Sequence, residues 1–283
     1  MTFLAMIAAI IVLSVHGDKS PVHEDDWFAS LQNTCRGFGF SPTVSLVVYV
    51  AAPVFLVEFM LSAVDSWLFG LIWLAGASLV LLYSFGREPF DTLTQRYRSY
   101  CRSGDFEAAY LYAEEELDID PQSLDVTSPE TAHEAIQARL LYLGYQRWFA
   151  VLFFFLLVGP IAALAYRLLQ LSRQSRERAI ASSILFYLDW LPTRLLAAGF
   201  ALTGNFLSSR DELLASVSES RQDSGSVLMS VGRAAIGASR GAEPDQQHPF
   251  SEIASQETVE LRDLMSRSAG AWLIVISLIV LFL

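Results

Sequence analysis

Uncharged apolar runs alternate with polar stretches along the whole chain, and their lengths set the first expectation. Residues 1–15, 41–57, 66–86, 148–166 and 268–283 contain no Asp, Glu, Lys or Arg. A hydrocarbon core of about 30 Å takes roughly 20 helical residues at about 1.5 Å each, so runs of this size predict membrane helices. The first run covers about 22 Å at that rise and predicts a short, uncleaved anchor, because no basic stretch precedes it and no small-x-small cleavage pattern follows. Residues 41–57 and 66–86, separated by Glu58 to Asp65, predict a transmembrane hairpin with a kink at Pro53 in its first arm. Residues 148–166 form the clearest span, with Trp148 at one boundary, Tyr166-Arg167 at the other and a bend at Gly159-Pro160. Residues 179–209 are apolar apart from Asp189 and Arg194, with Pro192 between them, a pattern that predicts a broken or re-entrant helix.

The polar stretches are helical in pattern. Within 87–146, Leu93, Tyr97 and Tyr100 recur at i, i+4, i+7; Gly104 interrupts, and Phe106, Ala109, Tyr110 and Ala113 resume the stripe, which predicts a helical hairpin. Thr127-Ser-Pro-Glu130 is a helix-start signature, and the helix it opens runs through His133 and Arg139 into the Trp148 span. The chain is thus expected to divide into an anchor and hairpin at 1–86, a polar helical loop at 87–146, a span plus broken helix at 147–209, a second polar segment at 210–267 and a terminal span at 268–283.

Composition supports an all-α, polytopic integral membrane protein with five or six hydrophobic segments. Apolar residues make up 53% of the chain against 17% charged, and the mean hydropathy is +0.39. Nineteen basic and thirty acidic side chains give a net charge of −11, which disfavours nucleic acid as a partner. Residues 87–146 alone carry twelve acids and five arginines, a net of −7. Lys19 is the only lysine, so no phosphate-binding loop of the Gly-x4-Gly-Lys type exists, and lysine Schiff-base chemistry has no other residue to use. Two cysteines, Cys35 and Cys101, and four scattered histidines, His16, His23, His133 and His248, make neither a disulfide framework nor a zinc site. Glu114, Glu115, Glu116, Asp118 and Asp120 point around a helix and are expected to be a solvated face, so no metal or cofactor is expected. Gly237-Ala-Ser239-Arg-Gly241 matches Gly-x-Ser-x-Gly but lacks the strand before it that a nucleophile elbow needs, and is expected to be a helix end or loop.

Ionisable groups at membrane depth are the candidate site. Glu58, Ser62 and Asp65 share one helical face at spacings of four and seven. Tyr166, Arg167, Asp189 and Arg194 make a second group, in which Asp189 and Arg194 lie about 140° apart on a helix and each wants another partner. One expectation is a polar cavity for an anionic or amphiphilic ligand. The other is structural: a hairpin turn at Glu58 and Asp65, Arg167 reaching to the interface, and Asp189 capping a helix before Pro192. Arginines at 87–102 and at 167–178 follow consecutive spans and would fall on opposite faces of the bilayer, so orientation by positive charge leans only slightly to placing 87–146 in the cytoplasm.

Tyr145-Gln-Arg-Trp-Phe-Ala-Val-Leu-Phe-Phe-Phe-Leu-Leu-Val-Gly-Pro-Ile-Ala-Ala-Leu-Ala-Tyr-Arg-Leu-Leu169, Leu188-Asp-Trp-Leu-Pro-Thr-Arg-Leu195 and Gly199-Phe-Ala-Leu-Thr-Gly-Asn205 resemble the AmpE family, and the similarity covers nearly the whole chain. The resemblance implies a multi-pass protein of the bacterial inner (cytoplasmic) membrane. It further implies a signalling or regulatory role in β-lactamase control and the peptidoglycan-recycling response, from the operon that also encodes the AmpD amidase. The Gly159-Pro160, Ala165-Tyr166-Arg167 and Asp189-x-x-Pro192-x-Arg194-Leu195 patterns are also similar to the CobD/CbiB membrane synthases of cobalamin synthesis. That likeness implies the alternative of a synthase acting on a phosphorylated substrate through Arg167, Asp189 and Arg194. The acid-rich Glu-Asn-Thr-x-Asp-Gly stretch of those enzymes is replaced here by Ala135-Ile-Gln-Ala-Arg-Leu-Leu, which removes their carboxylates. A transporter or binding protein for muropeptides or other anionic amphiphiles is the third expectation, without the internal repeat many transporters show. The expected partners are the lipid bilayer, such an anionic ligand, and a protein bound to the polar loop.

Overall fold

Every regular element among the described residues is helical. The computed structural model describes residues 2–16, 25–64, 70–86, 90–120, 124, 128–219, 221–237 and 249–282, with backbone alone at 14–16 and 280–282. In chain order the helices are α1 (Thr2–His16), α2 (Asp26–Gly37), α3 (Pro42–Val64), α4 (Leu71–Ser84), α5 (Phe90–Ser103), α6 (Phe106–Glu115), α7 (Pro129–Gly144), α8 (Ala150–Leu157), α9 (Pro160–Leu171), α10 (Arg178–Thr203), α11 (Phe206–Ser218), α12 (Ser224–Ile236) and α13 (Phe250–Phe282). Among the described residues three are long and apolar enough to cross a membrane: Pro42–Val64, Arg178–Thr203, and Pro129–Leu157, in which a π-helical turn at Tyr145–Phe149 joins α7 to α8. α1 and α4 are shorter apolar helices. The protein is an all-α membrane protein.

Local chemistry explains the boundaries. Ser128 caps α7 by accepting from the Thr131 N–H at 3.3 Å, and Pro129 follows at the first helical position, where its missing N–H costs nothing. Asp105 caps α6 in the same way from Ala108 N–H at 3.0 Å, just after Gly104 has turned the chain at φ +70°. Asn205 starts α11 and Asp223 starts α12, with side-chain acceptors for Ser208 and Gly225.

Three sequence expectations change here. Residues 148–166 are not one helix: α8 ends at Leu157, Gly159 takes φ +119° and ψ −173°, and Pro160 starts α9. The chain turns back there, because Phe154 and Tyr166, about 18 Å apart along a straight helix, hold their rings 5.0 Å apart. That Gly159 conformation is essentially closed to side chains, and a residue before proline is already disfavoured in a helix, so the Gly-Pro pair stops one helix and starts another. Conversely, α10 runs unbroken through Pro192, where the sequence places a broken or re-entrant helix. One missing N–H is cheaper in apolar surroundings than an unwound stretch with several unsatisfied groups. Finally, the terminal span is the last part of a single 33-residue helix, α13, that also carries the polar residues from Glu252 to Arg267.

The chain forms two compact units. The first combines Met1–Arg87 with Ala150–Asp189. Its core gathers Phe28, Leu46, Tyr49, Leu164, Leu168 and Ala181. α1 lies against α4, with its Ala5 and Ala9 fully buried, and Ser78 Oγ donates to the Ala5 carbonyl at 3.1 Å. The second unit combines Glu88–Phe149 with Trp190–Leu283 around Leu93, Tyr97, Ala109, Ala113, Ile136 and Leu140. Leu93, Tyr97, Ala109 and Ala113 belong to the helical stripe read from residues 93–113. α5 packs along α13, and α12 packs on both α7 and α11.

Candidate functional site

Of the residues singled out at membrane depth, Tyr166, Arg167, Asp189 and Arg194 each have a partner in the fold. Tyr166 and Asp189 meet: the phenol O–H donates to Asp189 Oδ1 at 2.7 Å, with both residues buried. A buried carboxylate is stable only when paired or hydrogen-bonded, which is the service Tyr166 performs. Arg167 turns to Asp25, just ahead of α2, at 3.5 Å, and donates to Gln170 Oε1 at 3.2 Å. Asp25 also accepts from the Tyr83 O–H at 3.0 Å, so one carboxylate ties together the ends of α2, α4 and α9.

Arg194 has a different task. Its Nε donates to the Ser216 carbonyl at 2.8 Å, one terminal nitrogen to Trp190 at 2.9 Å and the other to Glu219 at 3.3 Å, while its guanidinium stacks over the Trp190 ring at 4.4 Å. Ser216 and Glu219 lie in and just after the last turn of α11, so the arginine satisfies carbonyls left free at a helix end. Glu58 is exposed on α3 among the exposed apolar residues Phe55, Leu56, Phe59 and Met60, and Ser62 Oγ donates to the Phe59 carbonyl. Asp65, Lys19, His23, Ser239 and His248 lie outside the described residues, and Gly237 caps the C-terminus of α12 at φ +76°.

The second unit holds a charged cluster that sequence reasoning did not assemble. On α5, Tyr97 hydrogen-bonds His133 Nδ1 of α7 at 2.7 Å. Burial pushes the Tyr97 phenol well above its ordinary range, so it stays protonated and donates. The imidazole then carries its proton on Nε2, an assignment made from the hydrogen-bond pattern. Nε2 lies 3.5 Å from Glu257 Oε2 of α13, so its N–H dipole faces the carboxylate without the alignment of a hydrogen bond. Glu257 Oε1 in turn accepts from Arg233 Nε of α12 at 2.7 Å, and Arg233 reaches Glu134 at 3.2 Å. Beside the cluster, Gln137 hydrogen-bonds Thr258.

Burial alone would raise the Glu257 carboxyl, but His133 and Arg233 outweigh it and hold the carboxyl at about 2. Tyr97, His133 and Glu257 are each less than a tenth exposed. Four helices are thus pinned by one buried anion. Among the described residues no group of His, Cys, Asp and Glu is arranged to hold a metal. The signals that could have found the cluster were a lone histidine on an apolar stripe and an arginine in the last turn of α12. The pairs themselves span 36, 24 and 124 positions in the chain, which no local pattern reveals.

The family model of the regulatory signalling modulator protein AmpE matches residues 1–250. The chain belongs to the AmpE family. No curated protein and no solved structure matches it. AmpE membership carries a signalling or regulatory role, and it fits the apolar helices of a membrane protein. The AmpE match includes Tyr97, His133 and Arg233 and stops at the first residue of α13, so Glu257 lies beyond it.

Proposed function

We propose that this AmpE-family protein is a multi-pass regulator in the bacterial inner membrane, acting in β-lactamase control and the response to peptidoglycan recycling. The observation that carries the reading is α13. One unbroken helix holds Glu257 in the buried cluster and, about 22 Å further along its axis, the exposed apolar turns that follow Trp272. A change of charge or packing at the polar end therefore acts on the same rigid element as the apolar end, which is what a membrane-bound modulator needs.

The test is deletion of the chromosomal gene, with β-lactamase activity measured with and without inducer. Deletion should alter the induced level, wild type should restore it, and Glu257→Gln should restore it poorly at equal abundance. Unaltered β-lactamase activity under every inducer refutes the proposal.

A further inference from the structure

Outside the buried cluster, the second unit opens a cleft between α5 and the start of α13. α5 and α13 run antiparallel, since Asp91 at the start of α5 lies 3.8 Å from Arg262 while Arg98 reaches Ser255 seven residues earlier in α13. The last turn of α5 therefore stands beside the first turn of α13. Between them is a cleft of about 580 Å³ whose polar walls are Arg98, Arg102, Ser251, Glu252, Ser255 and Gln256.

Its charge is the reverse of its surroundings. Two arginines and one glutamate leave it net positive, within a segment of net −7 and a chain of net −11. Arg98 and Arg102, four apart, project from one face of α5. Arg98 Nε donates to Ser255 Oγ at 3.4 Å, the long limit of a hydrogen bond, and Arg102 has no ion pair among the described residues. Ser255 is 7% exposed, and among the described residues its own hydroxyl hydrogen meets no acceptor. Phe250 and Ser251 open a long helix with N–H groups no intrahelical carbonyl can take, which adds positive potential at the same end.

We propose that this cleft binds a small polar molecule through an oxyanion, a phosphate or a carboxylate, held by Arg98 and Arg102 with the Ser251 and Ser255 hydroxyls. Planar guanidinium groups grip such oxygens two at a time, and the volume leaves room for a body larger than the anion itself. This site is independent of the regulatory reading and stands or falls separately from it.

The experiment is isothermal titration of the detergent-purified full-length protein with inorganic pyrophosphate, N-acetylglucosamine 1-phosphate and the dipeptide Ala-Glu. At least one should bind, and the phosphate and carboxylate arms separate the two sources of oxyanion. Arg102→Ala, an exposed position, should weaken binding about tenfold or more, as loss of a hydrogen bond to a charged group does. Arg98→Ala should do likewise, and Ser255→Ala less. Arg96→Ala, exposed on α5 but outside the cleft, should leave affinity unchanged. The proposal is overturned if no probe binds wild type, if Arg102→Ala and Arg98→Ala bind as well as wild type, or if Arg96→Ala weakens binding equally.

Discussion

Glu257→Gln removes one charge and almost no volume, so it isolates what the buried anion contributes. In the folded protein the carboxyl sits at about 2, against an ordinary value of 4.5. At about 1.4 kcal/mol per unit, that depression corresponds to roughly 3 kcal/mol of stability at neutral pH, an order-of-magnitude figure. The sign follows from the depression: the contribution is complete above the unfolded value, shrinks as pH falls below it, and is lost on passing through about 2. By pH 3 it should be down to roughly 1.5 kcal/mol. The assay is denaturant unfolding of wild type and Glu257→Gln in the same detergent at pH 7 and pH 3, read by fluorescence. Wild type should be the more stable by roughly 3 kcal/mol at pH 7, and the difference should about halve at pH 3. A difference that is the same at both pH values would refute the assignment of this stabilisation to the Glu257 charge.

Gly159→Ala should destabilise the first unit by about 1–3 kcal/mol, because φ +119° is strained for any side chain even though the space beside it is open; denaturant midpoints measure it, and an unchanged midpoint contradicts the turn. Arg194→Lys should cost about 1.5–3 kcal/mol, since a single ammonium cannot serve the carbonyls of Trp190, Ser216 and Glu219 together, and hydrogen exchange should show the last turn of α11 opening more readily. Gly199→Ala would put its methyl 2.7 Å from Trp272 Nε1 and should cost about 1–3 kcal/mol by overpacking, with a shift in tryptophan emission; full stability there contradicts the α10–α13 contact.

What could be read from the sequence was whatever depends on neighbours along the chain. The Leu93, Tyr97 and Ala109 stripe, the turn at Gly104 and the start of α7 at Ser128-Pro129 are local chemistry, and the structure has each where the pattern puts it. Proline signals were harder to weigh: Pro192 sits inside a continuous helix because apolar surroundings offer no alternative partners, whereas Pro160 marks a true break because Gly159 precedes it with a backbone conformation other residues avoid. Partner choice was not legible at all. Asp189 takes Tyr166 from 23 residues away and Arg194 takes carbonyls 22 and 25 residues on, distances set by how the helices pack.

The reversal at Gly159 also bears on how the protein is made. The arm before it belongs to the Pro129–Leu157 helix, long and apolar enough to cross a membrane, but α9 after it has only 12 residues, about 18 Å, short of what a bilayer core requires of an independently inserting segment. α9 is therefore expected to partition into lipid folded back on the helix before it, with the turn at Gly159 already set. Defects at this glycine should show up first as slow or failed integration in a cell-free insertion assay, before any signal is sent.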